Sequence, residues 1–186
     1  MDQRQLIIVV VVALIVLGAV LGFVFRRRQR RRALRERFGP EYDRVLRKEG
    51  NVRRAEGVLE WRAKRREQFT IRPLPQAARA DFSARWATTQ ALFVDDPKRA
   101  TTEADQLLNE VMHARGYPTV DFEQRAADLS VDHPVLVENY RRAHDIALRH
   151  GQGRASTEDL RQALIHYRSL FDELLQPESE KREALG

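Results

Sequence analysis

A run of twenty apolar residues near the start constrains this chain more than any other feature. The run, LIIVVVVALIVLGAVLGFVF, covers residues 6–25; sixteen of its residues are Leu, Ile, Val or Phe, and none is charged. As a helix it is about 30 Å long, which matches the hydrocarbon core of a bilayer. Its large apolar residues together favour insertion by roughly 5 to 10 kcal/mol. The sequence therefore predicts a transmembrane helix over residues 6–25.

Two other interpretations of this run fit less well. A cleaved signal peptide has a shorter apolar region followed by a small-residue cleavage site, whereas here arginines follow directly. A buried helix of a globular core is normally amphipathic and capped, whereas this run is apolar on every face. We therefore retain the membrane span.

The residues that flank the run predict its orientation. The N-terminal flank offers only Arg4, which Asp2 offsets, whereas six arginines follow the run: Arg26, Arg27, Arg28, Arg30, Arg31 and Arg32. Basic residues accumulate on the cytoplasmic side of a membrane span. We expect a single-pass protein of the cell inner (plasma) membrane, with residues 1–5 as a short extracytoplasmic N-terminus and the C-terminal part in the cytoplasm. The lack of cysteine agrees with a reducing compartment.

Charge is divided unevenly along the remaining chain. Residues 26–72 hold 18 Lys or Arg against 7 Asp or Glu, whereas residues 73–186 hold 14 against 19. The basic segment next to the membrane predicts contact of the six arginines with anionic lipid headgroups, worth about 1 kcal/mol per residue. Nucleic acid is a weaker alternative, because this segment has few aromatic residues and no recognisable binding motif.

The spacing of Gly18 and Gly22 is a G-x-x-x-G pattern inside the predicted membrane helix. This pattern allows two helices to approach closely, and it is compatible with self-association in the membrane. Glycine is also common in membrane helices without any such role, so both interpretations stay open.

Beyond the membrane segment, the periodicity predicts only helices. Residues 26–72 form a basic helical neck with helix ends at Gly39 and Gly50, and prolines mark a linker at 71–75. Residues 73–176 form a bundle of four main helices and a short further segment at 121–129, and residues 177–186 form a polar tail. The fold class is therefore all-α: a single N-terminal transmembrane helix, a basic helical neck and a cytoplasmic helical bundle.

Helix boundaries in the bundle follow from capping residues. Asp96 followed by Pro97 predicts one helix start, and Ser156 with Asp159 predicts another through a capping box. Asp132 before Pro134 has the same pattern and predicts a third start. Within that third helix, Leu148 is expected to face the core.

No pattern in the chain points to catalysis. Glu110 and His113 form one E-x-x-H, which can supply two ligands to a metal site on one helix, but a second copy is lacking. His133, His144 and His166 are expected to be structural. Cysteine, a G-x-S-x-G elbow and a phosphate-binding loop are all missing from the sequence. We predict no enzyme, no catalytic or metal residues and no cofactor.

Five segments resemble a family of small bacterial membrane proteins. They are RERFGPEYDR, FVDDP, RGYP, DFEQRAADLSVDHP and TEDLRQALIHYRSLF, at residues 35–44, 93–97, 115–118, 121–134 and 157–171. In their order the chain resembles an uncharacterised family of single-pass proteins of the actinobacterial type. The resemblance implies an N-terminal anchor, a basic neck and a helical cytoplasmic domain, and it implies no activity.

These features favour a membrane-anchored protein-interaction module that faces the cytoplasm and binds a protein partner. One alternative is a helical-bundle metal- or ligand-binding protein that uses Glu110 and His113. Another is a membrane-tethered nucleic-acid binder that uses the arginine-rich neck.

Overall fold

The computed structural model describes residues 3–118 and 121–176, without the side chains of residues 3–11 and 13. The described residues form eight helices and no strand, which confirms the all-α fold class. The helices are α1 (Gln3–Phe38), α2 (Pro40–Glu49), α3 (Val52–Arg66), α4 (Gln76–Leu92), α5 (Pro97–Arg115), α6 (Phe122–Asp132), α7 (Leu136–Gly151) and α8 (Thr157–Leu175).

The backbone divides into two compact units, Met1–Leu59 and Glu60–Gly186. The division falls within α3, so the first half of this helix belongs to the first unit and the second half to the second. The proline-containing segment at 71–75, where the sequence places a linker, therefore lies inside the second unit.

Glycines separate the helices of the first unit where the sequence predicts. Gly39 has φ +46°, and Pro40 then occupies the first turn of α2. Gly50 ends α2 in the left-handed conformation, and its N–H donates to the carbonyl of Leu46. Both predicted helix ends are confirmed.

The core of the second unit is formed by α4, α5, α7 and α8, with α6 packed on α7. In this core, Trp86 of α4 stacks on Phe171 of α8 with ring centroids 4.5 Å apart. Asn139, in the first turn of α7, donates to the hydroxyl of Ser169 near the end of α8, so these two helices run antiparallel. The helical bundle is therefore confirmed.

Two of the predicted helix starts are confirmed in atomic detail. Asp96 accepts a hydrogen bond from the N–H of Arg99 at 3.0 Å and caps α5. Ser156 and Asp159 form a reciprocal capping box at the start of α8. Both depend on local side-chain-to-backbone bonds, which a sequence spacing can specify.

Gly116 ends α5 and shows why glycine is required there. Its φ is +97°, and a Cβ at this position would lie 2.5 Å from the carbonyl oxygen of Thr70. Any other residue would therefore be strained and would also collide with backbone.

The predicted helix start at Asp132 is wrong. Asp132 is the last residue of α6, and the N–H of His133 still donates to Leu129 at 2.8 Å. The next helix, α7, begins at Leu136 without a side-chain cap. The carboxylate of Asp132 accepts hydrogen bonds from Arg66 and Tyr117 and does not cap α7.

The predicted core position of Leu148 is also wrong. Leu148 is 55% exposed, whereas Ile146 of the same helix is 8% exposed. The helix itself is present, but near its C-terminal end Ile146 rather than Leu148 lies on the buried face.

Candidate functional site

The apolar part of α1 is exposed wherever its side chains are described. Its large apolar residues from Val12 to Phe25 are 40% to 68% exposed, and the described side chains among residues 12–33 are all exposed. Among the described residues, no helix is long and apolar enough to cross a membrane. The predicted span at 6–25 lies partly outside the described side chains, so it stays a prediction.

The arginines that follow this segment fall into two groups. Arg31 donates from Nε to the hydroxyl of Tyr42 at 3.2 Å and lies 3.8 Å from Glu56, which also accepts a hydrogen bond from Tyr42 at 3.2 Å. In the described part of the chain, no ion pair involves the other five arginines of the run, all of them exposed: Arg26, Arg27, Arg28, Arg30 and Arg32. Five of the six positive charges are therefore available to an external anionic surface.

The two glycines of the G-x-x-x-G pattern have open space around them. A Cβ built at Gly18 or at Gly22 would meet no described atom within 4 Å. Packing within the described chain therefore does not require glycine at either position.

Three arginines of α3 bind three polar residues of α6, and we call this set the α3–α6 clasp. Arg62 Nη1 donates to Ser130 Oγ at 3.1 Å, Arg65 Nε to Asp128 Oδ1 at 3.0 Å, and Arg66 Nε to Asp132 Oδ2. The arginines share one helix face because Arg65 and Arg66 follow Arg62 by three and four residues. The three residues that bind them are spaced two apart along α6.

Burial makes the clasp energetically important. Asp128 is 1% exposed and Ser130 is fully buried. Asp128 also accepts a hydrogen bond from Gln124 Nε2 at 2.9 Å, and Ser130 donates to the carbonyl of Ala127 at 2.6 Å. A buried carboxylate without such partners would cost several kcal/mol, so the clasp arginines stabilise the packing of α6.

Sequence reasoning assigned these arginines only to a basic neck and missed the clasp. A usable signal was present in α6, where Asp128, Ser130 and Asp132 interrupt an otherwise apolar stretch. Buried acidic residues at such positions require cationic partners. Which arginines supply them depends on tertiary packing, which the spacing along α3 alone does not specify.

A second polar cluster joins α5, α6 and α7 inside the second unit. Tyr140 accepts a hydrogen bond from Arg125 Nε at 3.2 Å and donates to Asn109 Oδ1 at 3.4 Å, and Asn109 in turn donates to Asp105 at 3.3 Å. Burial, followed by the charge of Asp105, raises the pKa of Tyr140 to about 12. Tyr140 is therefore a neutral hydrogen-bonding residue of the core.

Of the three histidines singled out in the sequence, one is buried and two are half-buried. His144 stacks on Phe122 with ring centroids 3.5 Å apart, and burial lowers its pKa. Burial and then the charge of Arg142 lower the pKa of His166. His133 is 6% exposed, and its Nδ1 lies 3.3 Å from Glu173 Oε1.

Glu110 of the E-x-x-H pair has a cationic partner. Arg85 Nη1 lies 2.7 Å from Glu110 Oε2, and this hydrogen bond lowers the pKa of the Glu110 carboxyl. His113 is exposed. In the part of the chain that the structure describes, no group of three or more His, Asp or Glu side chains is arranged to hold a metal ion.

Comparisons with protein-family models, with curated proteins and with solved structures find no match to this chain. A functional proposal therefore depends on the chain's own residues.

Proposed function

We propose that this chain is a single-pass membrane protein that anchors a cytoplasmic helical bundle and presents it to a protein partner. The observation that carries the proposal is the exposed apolar surface of α1 over residues 12 and 14–25. Monomeric soluble proteins rarely expose a large contiguous apolar patch, and such patches mark membrane or protein contacts. Lipid is the favoured contact here, because the apolar surface surrounds the whole helix.

The exposed arginines support the same proposal and give it an orientation. Five arginines without an ion pair among the described residues follow the apolar segment directly. At a cytoplasmic membrane surface they would attract anionic headgroups, and they would oppose translocation of the C-terminal part. The second unit would then lie on the cytoplasmic side. This is also the architecture of the family that the chain resembles.

Protein interaction is the part of the proposal that concerns the bundle. The helices of the bundle each have a buried and an exposed face, and the hydrogen bonds of each polar cluster join members of that cluster. We infer that its role is to bind another protein at the membrane surface.

Charged substitutions in α1 test the anchor. Arginine at Leu17 and Leu21 would cost roughly 2.5–3.5 kcal/mol per residue at a helix centre, which together cancels most of the insertion energy. We expect the wild-type chain to stay in the membrane pellet after alkaline extraction and the double arginine variant to leave it. The control is alanine at the same two positions, which should remain in the pellet. Release of the wild-type chain by alkali would refute the anchor.

The absence of cysteine allows a clean test of orientation. A single cysteine introduced at Gln5 or at the exposed Ser83 can be labelled with a membrane-impermeant maleimide in intact cells. We expect labelling of Gln5→Cys in intact cells and of Ser83→Cys only after lysis. The opposite pattern would reverse the proposed topology.

Proximity labelling, with a biotin-labelling enzyme fused to the C-terminus of the chain, tests the interaction role. A cytoplasmic partner should be labelled by the full chain. This labelling should be lost when the Leu17→Arg and Leu21→Arg substitutions release the same bundle from the membrane. Repeated recovery of the protein alone from solubilised membranes would contradict an interaction module.

A further inference from the structure

A polar cavity of about 390 Å³ lies in the second unit. Its walls combine positive charge, hydrogen-bonding groups and an apolar surface, supplied by Arg66, Ile71, Arg115, Tyr117, Asp132 and His133. This volume is within the range of small-molecule sites. The chemistry of its charged groups decides which kind of molecule it suits.

Arg115 is the unusual residue of this cavity. It is 6% exposed, and its Nη1 donates to the carbonyl oxygen of Leu174 at 2.9 Å. Its Nε is buried and has no hydrogen-bond acceptor among the described residues. A buried guanidinium whose Nε–H is unsatisfied loses both hydration and hydrogen-bond energy, so its position favours an anionic ligand.

The other polar groups of the cavity have partners. Arg66 Nε and the Tyr117 hydroxyl both donate to Oδ2 of Asp132, the latter at 2.9 Å. His133 faces the Glu173 carboxylate at 3.3 Å. Among the described residues, the guanidinium of Arg115 therefore has no carboxylate partner within ion-pair distance.

We propose that this cavity binds a small aliphatic monocarboxylate, with its carboxylate held by Arg115. The Nε and Nη2 edge of the guanidinium can donate two parallel hydrogen bonds to one carboxylate, while Nη1 stays on Leu174. One positive charge matches one negative charge, and the nearby carboxylate of Asp132 opposes a dianion such as phosphate. Ile71 and Val131 supply apolar wall for the carbon chain. The proposal is independent of the membrane anchor.

The test uses the full chain in detergent and measures the midpoint of thermal unfolding at constant ionic strength. Sodium butyrate, inorganic phosphate and chloride are the three probes. A ligand that binds only the folded state raises the midpoint, and above its dissociation constant the rise continues with the logarithm of ligand concentration. We expect such a rise with butyrate and a weaker or no rise with phosphate. Equal effects of all three salts would overturn the proposal.

Two substitutions and a matched control assign the effect to Arg115. Arg115→Lys keeps the charge but loses the paired donors and should weaken butyrate binding about tenfold. Arg115→Gln should abolish it. Arg142→Gln removes an exposed arginine of α7 that pairs with Glu138, and it should leave binding unchanged. A folded Arg115→Gln protein that binds butyrate normally would refute the site.

A measurement on the wild-type protein avoids dependence on the folding of the variants. The Nε–H of Arg115 can be assigned by through-bond NMR and followed during a butyrate titration. We expect its proton resonance to move downfield as the hydrogen bond forms and to level off when the site is full. A resonance that does not move at saturating butyrate would exclude binding at Arg115.

Discussion

Five arginines of α1 and the three clasp arginines of α3 have the same side-chain chemistry and opposite surroundings. Arg26, Arg27 and Arg28 are exposed on the first unit, whereas Arg62 is 8% exposed in the second. The clasp arginines bind polar residues of α6, whereas every arginine of the run except Arg31 lacks a carboxylate partner in the described chain. A basic segment in a sequence can therefore contain two functionally different sets of charge.

The difference depends on whether a buried acidic partner is present. Asp128 is nearly inaccessible to water, so an arginine beside it replaces hydration that the carboxylate has lost. The exposed arginines of α1 keep their own hydration and remain able to contact an anionic surface. The first set should act on folding and the second on membrane placement.

The largest expected effect concerns orientation. Glutamine at the five arginines of the run that form no ion pair should convert the proposed single membrane orientation into a mixed one, because basic residues next to a membrane span determine which side is retained. Maleimide labelling of Ser83→Cys in intact cells measures the change. Thermal unfolding of the second unit should not change.

The matched control replaces the three clasp arginines with glutamine. Orientation should then stay uniform, while the second unit loses stability. If the clasp substitutions also mixed the orientation, the division between the two sets of arginines would fail.

The next effect is on stability. Asp128→Ala removes the acceptor of Arg65 and Gln124, and it should lower the free energy of unfolding by about 2–3 kcal/mol. Arg65 is partly exposed and can recover some hydration, so the loss stays below that of a fully buried pair. Urea unfolding followed by the fluorescence of the buried Trp86 measures it.

Asp128→Asn is the conservative companion of this variant. It keeps an acceptor oxygen for Arg65 and should lose less stability than Asp128→Ala. A loss under about 0.5 kcal/mol for the alanine variant would show that the clasp contributes no more than an exposed ion pair.

Local features of the fold could be predicted from the sequence, whereas contacts between distant residues could not. Helix ends at Gly39 and Gly50 and the caps at Asp96 and Ser156 were predicted, because each depends on bonds between residues close in sequence. The start at Asp132 was wrong because Arg66 and Tyr117, which are distant in sequence, bind its carboxylate.

The candidate sites were less predictable than the fold. The apolar segment of α1 and the arginines after it can be recognised in the sequence, because hydrophobicity and charge follow directly from local composition. The clasp and the cavity around Arg115 are not, because both depend on which helices pack together. In the sequence, Arg115 is one basic residue among many at the end of a predicted helix. Its burial depends on tertiary packing.

A smaller effect is expected from pH, and it should be confined to the second unit. All five histidines lie between residues 113 and 166. Burial lowers the pKa of His144 from 6.5, so the unfolded chain binds a proton more readily than the folded one. Stability should therefore be complete above about pH 6.5 and fall as the pH drops below it. His166 acts in the same direction.

Replacing His144 with glutamine tests this dependence. The variant removes the titrating group and should flatten the decline in unfolding free energy between neutral and mildly acidic pH, measured by urea unfolding. An unchanged slope would mean that His144 does not contribute. The Asp128→Ala protein should keep the wild-type slope, since the clasp contains no histidine.

The smallest effect is expected at ion pairs that share the clasp's geometry but not its burial. Asp145 pairs with Arg149 at 3.2 Å and Asp172 with Arg168 at 3.3 Å, close to the 3.0 Å of Arg65 and Asp128. The side chains of Asp145 and Asp172 are 71% and 56% exposed, however, against 1% for Asp128. Asp145→Asn and Asp172→Asn should each change the free energy of unfolding by less than about 0.5 kcal/mol, measured by urea unfolding. A loss as large as that of Asp128→Ala would mean that distance rather than burial determines the contribution of an arginine pair in this protein.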